Sequence, residues 1–125
     1  MAITQVTKFT KKEEELVSIL MQLGYRRTIA NVLVYIANTR EVNSRDIERG
    51  TELRQPEVSL AIQDLEKWGW VEERKLEKEG SGRKVRLFRL AKPFADIVTD
   101  IENTRKSESQ HHLTLIRTVR DQVTG

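Results

Sequence analysis

Residues 53–74 read LRQPEVSLAIQDLEKWGWVEER, and the order of apolar and polar positions within them decides the fold. Pro56 has no backbone N–H to leave unsatisfied and its φ is already helical, so it suits the first position of a helix that Gln55 opens. From there Val58, Ala61, Ile62 and Leu65 fall at i, i+3, i+4 and i+7, a single stripe that calls for burial. The opposite face carries Glu57, Ser59, Leu60, Gln63, Asp64 and Lys67. Gly69 lies just past the last turn, where a left-handed cap favours a residue without Cβ. The spacing therefore predicts a helix over 56–68 with one inner and one outer face.

Upstream, Ser44 ahead of Arg45, Asp46, Ile47 and Glu48 reads as the cap of a short helix with Ile47 turned inward, ended by Gly50 and Thr51. Two helices joined by a turn of roughly 3 to 5 residues match a helix-turn-helix, whose second helix lies in the major groove of DNA. Downstream, 70–78 and 83–90 are β-compatible runs, and Glu79, Gly80, Ser81 and Gly82 between them suit a hairpin tip. Residues 41–43 are a candidate short strand pairing with that hairpin. The expected architecture is mainly α with a small antiparallel β wing, a winged helix-turn-helix.

Leu53, Gln55, Pro56, Val58, Ser59 and Ile62, followed by Leu65, Glu66, Gly69 and Val71, carry a family resemblance. The stretch resembles the MarR-like and ArsR-like winged helix regulators, which commonly read Leu-Ser-Gln-Pro-x-Val-Ser-x-x-Leu and then Leu-Glu-x-x-Gly-Leu-Val. The resemblance covers about residues 28–92. It implies a sequence-specific regulator of transcription, with the helix in the major groove and the wing 74–90 on the backbone or in the minor groove. On that reading Gln55 or Gln63 pairs with adenine, Leu60 touches a thymine methyl, Arg54 reaches guanine or phosphate, and Ser59 contacts phosphate. Arg45, Lys67, Lys78, Ser81, Arg83, Lys84 and Arg86 complete the expected DNA-facing set. The family often has a basic residue where this chain has Leu60, and Glu57 and Asp64 would approach a polyanion. Winged helices also serve in protein–protein assemblies, so an interaction module without sequence-specific DNA binding is the alternative.

Composition sets the outer bounds. In 125 residues, 33% are charged and 38% hydrophobic, which suits a soluble globular domain with one core. No apolar run approaches the roughly 20 residues that span a bilayer, and residues 1–10 lack the apolar core of a signal peptide, so the expected location is the cytoplasm. Zero cysteines exclude disulfides, thiolate zinc sites and thiol redox sensing. The net charge of +3 says little by itself. Its distribution says more: Arg74, Lys75, Lys78, Arg83, Lys84, Arg86, Arg89 and Lys92 stand against only Glu77 and Glu79, whereas 40–73 is acidic on balance. A positive wing suits phosphate contacts.

Thr10 with Glu13 is a capping-box signature for a helix over 11–23, closed by Gly24, and a second apolar helix is expected over 28–39. At least one of Trp68 and Trp70 belongs in the core. After Pro93 a separate extension, 93–125, carries Phe94, Ile97, Val98 and Ile101, then Leu113, Ile116, Val119 and Val123, at a spacing of 3 to 4. As one helix, or two broken near 107–110, this stripe is expected to pack on a second copy, giving a homodimer suited to two half-sites. His111 and His112 point about 100° apart on a helix and suit no shared metal. No Ser/His/Asp set or phosphate loop is present, so neither a cofactor nor an enzymatic activity is expected.

Overall fold

The computed structural model describes residues 10–77 and 84–124. In chain order it has α1 (Lys11–Gln22), α2 (Arg27–Ala37), α3 (Ser44–Thr51), α4 (Gln55–Lys67), β1 (Val71–Glu77), β2 (Lys84–Leu90) and α5 (Phe94–Thr124). The chain divides after Lys92 into two compact units. Mainly helical, with one two-stranded antiparallel sheet, it has the winged helix-turn-helix architecture expected from the sequence.

Local chemistry explains the helix ends. The Thr10 N–H donates to Glu13 Oε1 at 2.7 Å while the Glu13 N–H donates to Thr10 Oγ1 at 3.2 Å, so two otherwise orphaned donors are satisfied reciprocally. Both α1 and α4 finish in the same left-handed motif. At α4, Gly69 adopts φ +78°, its N–H donates to the Glu66 carbonyl, and the Trp70 N–H reaches back to the Leu65 carbonyl, each at 3.0 Å. The helix starts one residue earlier than Pro56 suggests: Arg54 is the cap, and its N–H donates to Glu57 Oε1 at 2.9 Å. Glu57, which the sequence leaves facing DNA, thus serves the start of its own helix.

Two expectations in the preceding helix need correction. Asn43, not Ser44, caps α3, its Oδ1 accepting from the Asp46 N–H at 2.8 Å. α3 does end at Thr51, as expected, but Gly50 is not what stops it: it lies within the helix, buried against the Tyr35 ring, and the left-handed cap is Glu52, with φ +60°. The third strand shrinks to a single bridge, Val42 to Phe88, with hydrogen bonds of 3.1 and 2.8 Å.

The core of the first unit is centred on α2, whose Ile29, Ala30, Val32, Leu33, Val34, Tyr35 and Ile36 are all buried. Ile47 of α3 and the stripe Val58, Ala61, Ile62 and Leu65 of α4 are buried with it. Trp70 is buried too, whereas Trp68 is 39% exposed and meets it edge-on with ring centroids 5.1 Å apart.

The second unit contains one helix. α5 runs unbroken through 31 residues, about 46 Å of axis, so the break considered near 107–110 is absent. Ion pairs Lys106–Glu102 (3.2 Å) and Arg105–Glu108 (2.7 Å) span its polar middle at helical spacing. Of the eight residues expected to meet a second copy, Ile97 and Ile101 are buried. Phe94 is half-buried. Val98, Leu113, Ile116, Val119 and Val123 are exposed, as is Leu115, which the periodic reading passed over.

Candidate nucleic-acid interface

α4 presents Gln55, Leu60, Gln63 and Lys67 to solvent, with Leu60 63% exposed, because the i, i+3, i+4, i+7 stripe commits the opposite face to the core. Ser59, between the two faces, is half-buried. Arg54 and Arg45 are exposed at the starts of α4 and α3. Lys78, Ser81 and Arg83, nominated from the sequence, lie outside the described residues.

Strand alternation sorts the wing into two faces. In the register Glu72 opposite Arg89, Glu73 opposite Phe88 and Lys75 opposite Arg86, one face holds Glu73, Arg86 and Phe88 and the other Glu72, Arg74 and Arg89. On the second face Glu41 accepts two hydrogen bonds from Arg74, at 2.7 and 2.8 Å, and one from Arg89 at 3.2 Å. Arg89 Nε also donates to Glu72 at 2.7 Å. On the first face Arg86 donates from Nε and Nη2 to the two oxygens of Glu73, at 2.6 and 3.1 Å, with its guanidinium carbon 5.4 Å from the Phe88 ring centroid. The wing is therefore not the free cationic patch that composition suggests: three of its arginines are held by carboxylates, two of which come from its own first strand. The sequence hides this because Glu41 reaches Arg74 and Arg89 from 33 and 48 residues away.

The first face meets α4 along a groove of about 170 Å³ lined by Ser44, Gln55, Ser59, Gln63, Glu66 and Arg86, with Ile62 and Phe88 supplying its apolar wall. Gln55, Ser59, Gln63 and Arg86, nominated separately from sequence, are thus brought to one place. Arg45, Arg54, Lys67 and Lys84 are not part of its lining. Ser44, Glu66 and Glu73 were missed. For Glu73 the antiparallel register holds the only signal, since it places Arg86 diagonally across from it.

The acids respond to these neighbours in opposite senses. The hydrogen bond from Arg86 draws the Glu73 carboxyl below its ordinary range, and that from Arg74 does the same for Glu41. Glu66 is raised, first by partial burial and then by the charge of Glu73, with Arg86 opposing. Burial, and then the charge of Asp46, also raises Tyr35. Among the described residues no group of three or more His, Cys, Asp or Glu side chains could hold a metal ion, and no helix is long and apolar enough to cross a membrane.

Solved structures with the same fold share little sequence with this chain. A possible transcriptional regulator from Methanosarcina mazei matches with a TM-score of 0.59 at 15% identity, over 81% of this chain and 85% of that one. TrmBL2, an archaeal chromatin protein described as showing a novel mode of DNA binding, matches with a TM-score of 0.65 at 14% identity, over 90% of this chain but 40% of its own length. MarR from E. coli matches with a TM-score of 0.51 at 20% identity, over 74% of this chain and 67% of that one. At these identities the likeness is one of fold alone, a winged helix. No protein-family model matches the sequence, nor does any curated protein.

Proposed function

We propose that this chain is a DNA-binding regulator of transcription that grips duplex DNA as a homodimer, with α4 in the major groove and the β1–β2 wing on the backbone or in the minor groove. The observation that carries the reading is the groove beside α4. Gln55, Ser59, Gln63 and Arg86 there gather amide, hydroxyl and guanidinium donors on the outer side of a helix whose inner side is fully committed to the core. Phosphate oxygens and base edges are the acceptors such a set suits. The description of similarly folded proteins as regulators or as a chromatin protein agrees with this. Dimerisation rests on α5, where Leu113, Leu115, Ile116, Val119 and Val123 leave an apolar run in solvent, a state that a second copy would relieve.

One feature favours a different class of partner. With Arg74, Arg86 and Arg89 paired, and with Leu60 exposed at the centre of α4, the same face would suit a protein partner of mixed character. Titration of labelled random-sequence duplex at increasing salt separates the two readings. DNA binding through several phosphates predicts affinity falling steeply and linearly in log–log form. No binding at low salt, or binding indifferent to salt, rejects the DNA reading. Bound genomic fragments recovered from the full chain would then give the preferred site.

A further inference from the structure

The pairing of Arg86 with Glu73 has two opposite meanings for a chain that binds DNA. It either cancels a cation or aims one, and the geometry distinguishes them. Glu73 engages one edge of the guanidinium, Nε with Nη2, leaving Nη1 with both of its hydrogens, and Nη1 makes no hydrogen bond among the described residues. The Phe88 ring, itself buried, lies 5.4 Å from the guanidinium carbon and limits the plane of the group from a second direction. The Glu73 side chain is only 19% exposed while that of Arg86 is 61% exposed, so the acid is the fixed member and the cation the presented one. Arg86 is presented to the groove it lines with Ser59 and Gln63.

We propose that Glu73 is a positioning residue, and that its two-point grip sets Arg86 in the groove between α4 and β2 so that the Nη1 side, with the Ser59 hydroxyl and the Gln63 amide, takes a phosphodiester oxygen of bound duplex. This rests on the DNA-binding reading above and adds to it a specific anion site and the residue that orients it. A planar fork held in advance loses less freedom on binding than a mobile cation, so orientation raises affinity without adding charge. Glu66 lines the same groove, its carboxyl raised first by partial burial and then by the charge of Glu73 while Arg86 opposes, so an arriving phosphate meets an acid there as well as the donors.

The test is a double-mutant cycle on labelled random-sequence duplex and on the preferred site, titrated across a salt series with the full chain. Arg86→Ala should weaken binding by roughly tenfold on both DNAs and reduce the salt slope by about one unit. Glu73→Gln, nearly isosteric, should weaken binding by a smaller factor although it removes a negative charge. Added to Arg86→Ala it should change nothing further, because its effect passes through Arg86. Arg86→Lys, which keeps the charge but lacks the fork, should not restore affinity. Melting curves of each variant separate a collapsed wing from a lost contact. Tighter binding by Glu73→Gln with a steeper salt slope would mean that Glu73 merely neutralises Arg86, and overturns the proposal. Equal, additive losses in the cycle overturn it as well, and so does a loss confined to the preferred site, which would make Arg86 a base reader. If the unmutated chain shows no salt-dependent binding, the DNA reading fails first and takes this inference with it.

Discussion

Replacing Gly50 with alanine measures how closely α3 packs on α2, the contact that sets the helix preceding α4. A Cβ added at Gly50 would lie 2.0 Å from Cε1 of Tyr35, 2.6 Å from Cζ and 2.7 Å from Cδ1, whereas ordinary contact between carbons is about 3.5 to 4.0 Å. The ring would therefore have to retreat by well over ~1 Å. It has little room to do so, because Tyr35 is buried and its neighbours Val32, Val34 and Ile36 in α2 have no exposed surface at all. Two terms compete. Alanine in a helix gains up to about 1 kcal/mol over glycine, while overpacking a closed core costs typically about 1 to 3 kcal/mol. With a clash this deep the second dominates, and Gly50→Ala is expected to lose about 2 kcal/mol. At a denaturant slope of roughly 1 to 3 kcal/mol/M in urea, the unfolding midpoint should fall by about 1 M. The companion variant Tyr35→Leu withdraws the ring, and Gly50→Ala made in that background should cost far less than in the natural one. A Gly50→Ala protein within about 0.5 kcal/mol of the unmutated chain, or an equal cost in both backgrounds, refutes the packing argument.

Three further outcomes follow from the same geometry. Gln55→Ala and Gln63→Ala should each cost roughly 1 to 3 kcal/mol on the preferred DNA site and spare random duplex; equal losses on scrambled DNA would show that α4 does not read bases. Ile116→Glu combined with Val119→Glu places charges on the exposed run of α5 and should give a folded monomer that binds a palindromic site far more weakly. Sedimentation showing the unmutated chain monomeric at tens of micromolar would end the dimeric mechanism. The carboxyls of Glu41 and Glu73 are both depressed by arginine hydrogen bonds, so their contribution is present above the unfolded carboxylate range and is lost as pH falls through their folded values. Urea midpoints measured down the acid limb should therefore decline less steeply for Glu41→Gln than for the unmutated chain, and an unchanged decline counts against the Arg74 and Arg89 pairing.

What the sequence determined was the set of features that act over a few residues. Val58, Ala61, Ile62 and Leu65 define a helix face whatever they pack on, Thr10 with Glu13 caps whatever helix follows, and Gly69 ends α4 because a glycine turns left-handed at little steric cost. The same local logic exposes Gln55, Leu60 and Gln63. Tertiary structure decided what depends on distant partners. Gly50 looked like a helix end until the Tyr35 ring lay against it. The wing arginines counted as free charge in the sequence, where charges simply add, but Glu41, Glu72 and Glu73 meet them only after the strands align and the segment before α3 closes on them. Periodicity is a property of one segment and survives outside its context. Pairing is a property of two segments, and it exists only once the fold has brought them to within about 3 Å.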